Sequence, residues 1–189
     1  MIDSPPWRGF LAAILLVVAA HGAARECPRS AVEDAAIDAF FPPWDDAQKQ
    51  LIQVLDDACE QILVQAFLLT SREVAAGLLD AHRRGVDVRV LADATQHAGT
   101  PSSALSKLAL AGIPVWLEDR YRHAHNKVMI IDARTSWPVV ITGSYNFTWG
   151  AQHQNAENLL IIRSHPRIAE RYAANWVRHQ LAARPIVLP

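Results

Sequence analysis

Side chains suited to handling a phosphodiester gather between residues 120 and 158. Arg120-Tyr121-Arg122-His123-Ala124-His125-Asn126-Lys127 is the most basic segment of the chain, and the apolar run Val128-Met129-Ile130-Ile131 carries it to Asp132. Gly143-Ser144-Tyr145-Asn146 follows, and then Asn155-Ala156-Glu157-Asn158 opens another apolar run. A neutral imidazole can attack phosphorus. An ammonium and a carboxamide can bind the equatorial oxygens whose charge must be stabilised during phosphoryl transfer. A carboxylate on the second ring nitrogen of the histidine would fix its tautomer and stabilise the imidazolium. His125, Lys127, Asn146 and Glu157 supply these groups, with the Ser144 hydroxyl beside them. The set suits phosphoryl transfer without a metal or an organic cofactor.

Strand geometry is what must hold them. If residues 125–131 form a strand, the period of two puts His125 and Lys127 on one face. Asp132 lies an odd number of residues from His125, which argues against direct pairing. Ser144 and Asn146 share a face of the next strand, and Gly143 leaves room for a close backbone approach. The lysine is a telling choice, because the chain has fifteen Arg and only three Lys. A compact ammonium and a planar guanidinium are chemically different.

The remaining chain supplies a scaffold. Strands are expected at 35–41, 61–69, 86–92, 113–117, 127–132, 139–142 and 157–163. Helices are expected after Asp45-Asp46, after a Thr70-x-x-Glu73 capping box, over 102–111 and after Ser164-His165-Pro166. Residues 93–101 read as a polar loop. The alternation predicts one α/β domain over 30–183, a mixed β-sheet flanked by helices on both faces. The chain is 51% apolar with formal net charge −1, a globular composition that excludes a polycation, so nucleic-acid binding would need a local patch.

Residues 10–20 are an uncharged apolar run followed by small residues, read as a signal peptide over 1–24 with export to the periplasm or medium. The run is short for a stable membrane span. Export would let Cys27 and Cys59 pair. The spacing of Cys59 after Leu55 reads it instead as a small core residue.

The ordered set His125-x-Lys127-x4-Asp132 … Gly143-Ser144-x-Asn146 resembles the signature of the phospholipase D superfamily. Within it, the chain is similar to small exported bacterial endonucleases that carry a single motif. The likeness extends to His82-Arg83-Arg84-Gly85, Ala111-Gly112-Ile113-Pro114 and Asn155-Ala156-Glu157-Asn158, covering about residues 35–180. It implies a phospholipase D-like fold with His125 as the nucleophile that becomes phosphohistidine. It implies Lys127 and Asn146 on phosphate oxygens, Glu157 orienting His125, and a structural Asp132. Ten residues separate Asp132 from Gly143 where the family usually has six; the excess reads as a longer hairpin turn away from the phosphate pocket. A family site needs two such histidines, and no second His-x-Lys occurs here. The resemblance therefore implies a two-fold homodimer.

Blander and rival readings stand beside these. His123 and His125 could bind zinc, but a third ligand is wanting and Lys127 is a poor neighbour for a cation. His123 also reads as a surface or phosphate-contacting residue. Arg120 and Arg122 read as a phosphate-steering rim or a solvated loop. Phe147 and Trp149 follow the motif closely enough to line a cleft. The expected activity is a metal-independent endonuclease acting on DNA or RNA. The alternatives are a phospholipase D acting on lipid headgroups and a non-catalytic nucleic-acid-binding or secretion-associated module.

Overall fold

The computed structural model describes residues 35–100 and 102–188. The expected signal peptide over 1–24 and Cys27 lie outside these residues. The strands are β1 (Ala36–Phe40), β2 (Gln61–Ala66), β3 (Asp87–Asp93), β4 (Val115–Glu118), β5 (Lys127–Ile131), β6 (Val139–Gly143), β7 (Leu159–Arg163) and β8 (Arg184–Pro185). The helices are α1 (Ala47–Asp57), α2 (Arg72–Arg83), α3 (Ala94–Gly99), α4 (Leu105–Leu110), α5 (Trp149–His153) and α6 (Pro166–Gln180).

One sheet runs β1-β7-β6-β5-β2-β3-β4-β8. β2, β3 and β4 are parallel, joined through helical crossovers, while β5, β6 and β7 form an antiparallel meander. β2 joins the two halves by pairing antiparallel with β5. The sheet is buried on both faces, which is why its central strands read as continuous apolar runs. Along β5, Met129 and Ile131 join the core beneath α1 and α2, whereas Val128 and Ile130 join the core beneath α6. Trp176 anchors α6 by donating its indole N–H to the Val64 carbonyl at 2.8 Å.

Local chemistry explains the departures from expectation. Ser71, not Thr70, caps α2, accepting from the Val74 N–H at 3.2 Å. Asp93 accepts from the Gln96 N–H at 2.8 Å and so turns the expected loop into α3. Thr148 caps the unexpected α5 in the same way. β8 extends the sheet just past residue 183 and presents no sequence pattern of its own. Cys59 lies beyond the end of α1 and is partly exposed; Ala58 takes the core position instead. Cys59 is not a free thiol.

Candidate active site

Two ends of the sheet must be distinguished. At one, the chain leaves β2 and β3 and enters β5, and His125 lies there. At the other, β5 leaves for β6, and Asp132 lies there. Asp132 is buried and gathers three backbone N–H groups, from Cys59 at 3.0 Å, Glu60 at 2.7 Å and Gln61 at 2.8 Å. It ties the start of β2 to the end of β5, and its φ of +50° begins the turn to β6. The additional residues before β6, Trp137 and Pro138 among them, lie in this turn. β6 still pairs in register with β5, Val128 opposite Thr142.

His125 is not part of β5, which starts at Lys127. The segment before it is held by backbone contacts with two other strand ends. The Ala124 N–H donates to the buried Asp93 carboxylate at 2.7 Å, and the Asn126 carbonyl accepts from the Phe67 N–H at 2.7 Å. The His125 side chain is exposed, yet its ring lies 4.4 Å from that of Phe67, centroid to centroid. Lys127 Nζ lies 4.7 Å from the Phe67 centroid and donates to the His125 carbonyl at 3.0 Å. Desolvation lowers the pKa of His125 from its ordinary value; Lys127 and His123 push it the same way, and Asp93 opposes them. Desolvation also lowers the Lys127 pKa, opposed by the Glu157 charge.

Opposite these residues, β6 ends at Gly143 and releases Ser144. A side chain at Gly143 would put its Cβ 2.2 Å from the Asn158 carbonyl oxygen, so only glycine lets the two backbones approach. That carbonyl accepts from the N–H groups of Ser144 and Tyr145. Ser144 Oγ donates to Glu157 at 2.5 Å and accepts from the Asn158 N–H at 3.0 Å. The other Glu157 oxygen accepts from Asn155 Nδ2 at 3.0 Å. Asn146 Oδ1 is buried with no hydrogen-bond partner. A buried amide oxygen of this kind is costly unless something else engages it.

Two expectations change. Glu157 precedes β7, and both its oxygens are engaged by Ser144 and Asn155, not by His125. Asp93 is the carboxylate whose charge bears on His125. Phe147 is wholly buried and lines no cleft: its backbone carbonyl accepts from Thr70 and Ser71, and its N–H donates to Leu68. Trp149 is exposed, and its ring is tilted by 42° against that of His153, centroids 4.8 Å apart. Arg120, Arg122 and His123 lie on the exposed loop before β5, where the His123 ring is nearly perpendicular to that of Phe67, centroids 6.0 Å apart. Among the described residues, no group of three or more His, Cys, Asp or Glu is placed to hold a metal ion. Sequence reasoning missed Phe67 and Asp93. Each sits at the end of a well-marked strand, which was the available signal.

An open α/β sheet that gathers imidazole, ammonium, hydroxyl, carboxamide and carboxylate around its strand ends defines a phosphodiesterase class. Residues 51–179 match the family described as cardiolipin synthase, PLD-like domain. The chain belongs to the phospholipase D superfamily, whose phosphodiesterase chemistry fits the site. A phospholipase D of Rickettsia prowazekii is 34% identical over 150 residues, covering 79% of this chain and 70% of that protein. A mitochondrial cardiolipin hydrolase of Xenopus laevis is 34% identical over 121 residues, covering 64% of this chain and 55% of that protein. Among solved structures, the phospholipase D family member Nuc from Salmonella typhimurium aligns with TM-score 0.76 at 28% identity, over 82% of this chain and all of that one.

Proposed function

We propose that the chain is an exported, metal-independent endonuclease that works through a phosphohistidine at a site completed by a second copy. The observation that carries the chemistry is the pairing of His125 and Lys127 on one aromatic ring, an imidazole kept toward its neutral form beside a cation. In the first step a His125 ring nitrogen attacks phosphorus. The P–N bond forms as the P–O bond to the leaving group breaks. The His125 of the second copy gives its proton to the departing oxygen. That same histidine then takes a proton from water, whose oxygen attacks phosphorus and breaks the P–N bond. Lys127 neutralises the phosphate oxygens, and Asn146 contributes its carboxamide.

Glu157 has two ways to serve this scheme. It can hold Ser144 and Asn158 in place from where it stands, or turn toward His125 when substrate and the second copy are present. The exposed Arg120 and Arg122, on the same loop as His125, support a polyanionic substrate. A second reading, hydrolysis of phospholipid headgroups, is favoured by the curated relatives' names and by the exposed side chains of Phe41, Trp44 and Trp149. The Phe41–Trp44 loop adjoins the site, because the Pro42 carbonyl accepts from the Glu157 N–H at 3.2 Å.

The test is nicking of supercoiled plasmid in excess EDTA by the leaderless protein, with His125→Ala in parallel. Cutting by the wild type alone supports the nuclease. No cutting by either, with His125-dependent headgroup release from phospholipid vesicles, moves the assignment to the phospholipase. Cutting only after addition of a divalent cation would overturn the metal-independent mechanism.

A further inference from the structure

His125 precedes its strand, so the β-ladder does not orient its side chain. The hydrogen bonds around it fix only backbone: Ala124 N–H to Asp93 on one side and Asn126 carbonyl to Phe67 on the other. Lys127 is anchored by its carbonyl contact to His125, but that bond leaves the imidazole free to turn. The common element is Phe67, a half-buried residue just after β2. Its ring meets the His125 ring at 4.4 Å and an interplanar angle of 53°. The ammonium of Lys127 stands 4.7 Å from its centroid, within cation–π range. The His123 ring lies nearly perpendicular to it, centroids 6.0 Å apart. One aromatic side chain thus meets His123, His125 and Lys127 together at the entrance to β5.

We propose that Phe67 is a positioning residue, the surface against which the His125 imidazole and the Lys127 ammonium are held in mutual register for attack on phosphorus. The proposal rests on the phosphohistidine reading above. A flat ring is required, not apolar volume alone. The imidazole has two rotatable bonds, and the Phe67 ring restricts them without consuming either ring nitrogen by hydrogen bonding. The nucleophilic lone pair stays available. The same ring excludes water from one side of the imidazole, in keeping with the direction of its pKa shift.

The experiment compares wild type, Phe67→Leu and Phe67→Tyr, each as the leaderless chain, using bis(p-nitrophenyl) phosphate in EDTA. Phe67→Leu keeps apolar bulk and loses the ring; Phe67→Tyr keeps the ring. The expectation is a fall in kcat of about ten- to a hundred-fold for Phe67→Leu, since small misplacements of a reacting group cost that much. KM should stay nearly unchanged, and Phe67→Tyr should remain within about three-fold of wild type. In parallel, the imidazole resonances of His125, assigned by their loss in His125→Ala, are titrated by NMR. Phe67→Leu should move the His125 midpoint upward, and Phe67→Tyr should not. Wild-type kcat and an unmoved midpoint in a folded Phe67→Leu protein would overturn the proposal. Equal damage from the Tyr variant would overturn it too, since the ring would then not be what matters. If wild type fails to turn over the diester, the phosphohistidine reading is what has failed. The titration still shows whether Phe67 governs the imidazole.

Discussion

Ser144 donates its hydroxyl proton to Glu157 across 2.5 Å while accepting from the Asn158 N–H at 3.0 Å. This one hydroxyl ties the end of β6 to the segment before β7, thirteen residues on. Its chemical consequence is that Glu157 is held in position without touching His125. The serine acts on the site through the carboxylate and the backbone it joins.

Ser144→Ala removes these two bonds and a third, from Asn158 Nδ2 at 3.3 Å, and leaves Glu157 with Asn155 alone. At this exposed position the stability loss should be about 1 kcal/mol. Activity should fall more than stability implies, because Glu157 is then free to swing. Urea unfolding alongside kcat on the same preparations checks this; an unchanged kcat would show that the tether does not matter for turnover.

Asp132 predicts the reverse pattern. Asp132→Ala strands three backbone N–H groups, and a buried donor left unmade costs about 1–3 kcal/mol. The loss should be about 3 kcal/mol or more, as for breakage of a buried network. Turnover per folded molecule should be preserved, since Asp132 stands a strand's length from His125. A folded variant with normal stability but lost turnover would place Asp132 in the chemistry after all.

Gly143→Ala should be severe for a backbone reason. The new Cβ meets the Asn158 carbonyl oxygen at 2.2 Å, and neither partner is a flexible side-chain end. The β6 end must move away from the β7 approach, taking Ser144 with it. About 3 kcal/mol of stability is the expected loss, with turnover lost as well. Thermal melting and residual activity on the soluble fraction measure both.

The pH dependence follows from the sign of the His125 shift. Its pKa is lowered, so the neutral imidazole persists to more acidic pH than in an ordinary histidine. The acid limb of the pH profile of kcat/KM should therefore lie below the usual histidine range. Lys127 is one cause of the lowering, so Lys127→Met should move the His125 midpoint upward as well as reduce turnover. NMR titration of the imidazole follows the midpoint where turnover is too slow; a downward move in Lys127→Met would contradict the electrostatic account.

Much of this protein was legible in its residues. The strands β2, β5 and β6 are largely apolar runs because both sheet faces are buried, and β3 shows itself by alternation; neither signal needs a partner to be read. His125, Lys127, Gly143, Ser144, Asn146 and Glu157 declared themselves by type and spacing. The odd offset of Asp132 separated it from His125, and the structure does place it at the other end of β5. What sequence could not supply was contact between distant segments. Phe67 reaches His125 only because β2 pairs with β5, and Asp93 reaches Ala124 only because β3 ends beside that same loop. α3 and α5 each rest on a single capping side chain in a short polar stretch, where periodicity has too few residues to register. The orientation of the Glu157 carboxylate was decided by which hydrogen-bond donors the fold brought nearest. Local pattern encodes which residues are inward or reactive, because it depends on neighbours in the chain. Which of them meet depends on sheet order and register, which exist only once the chain has folded.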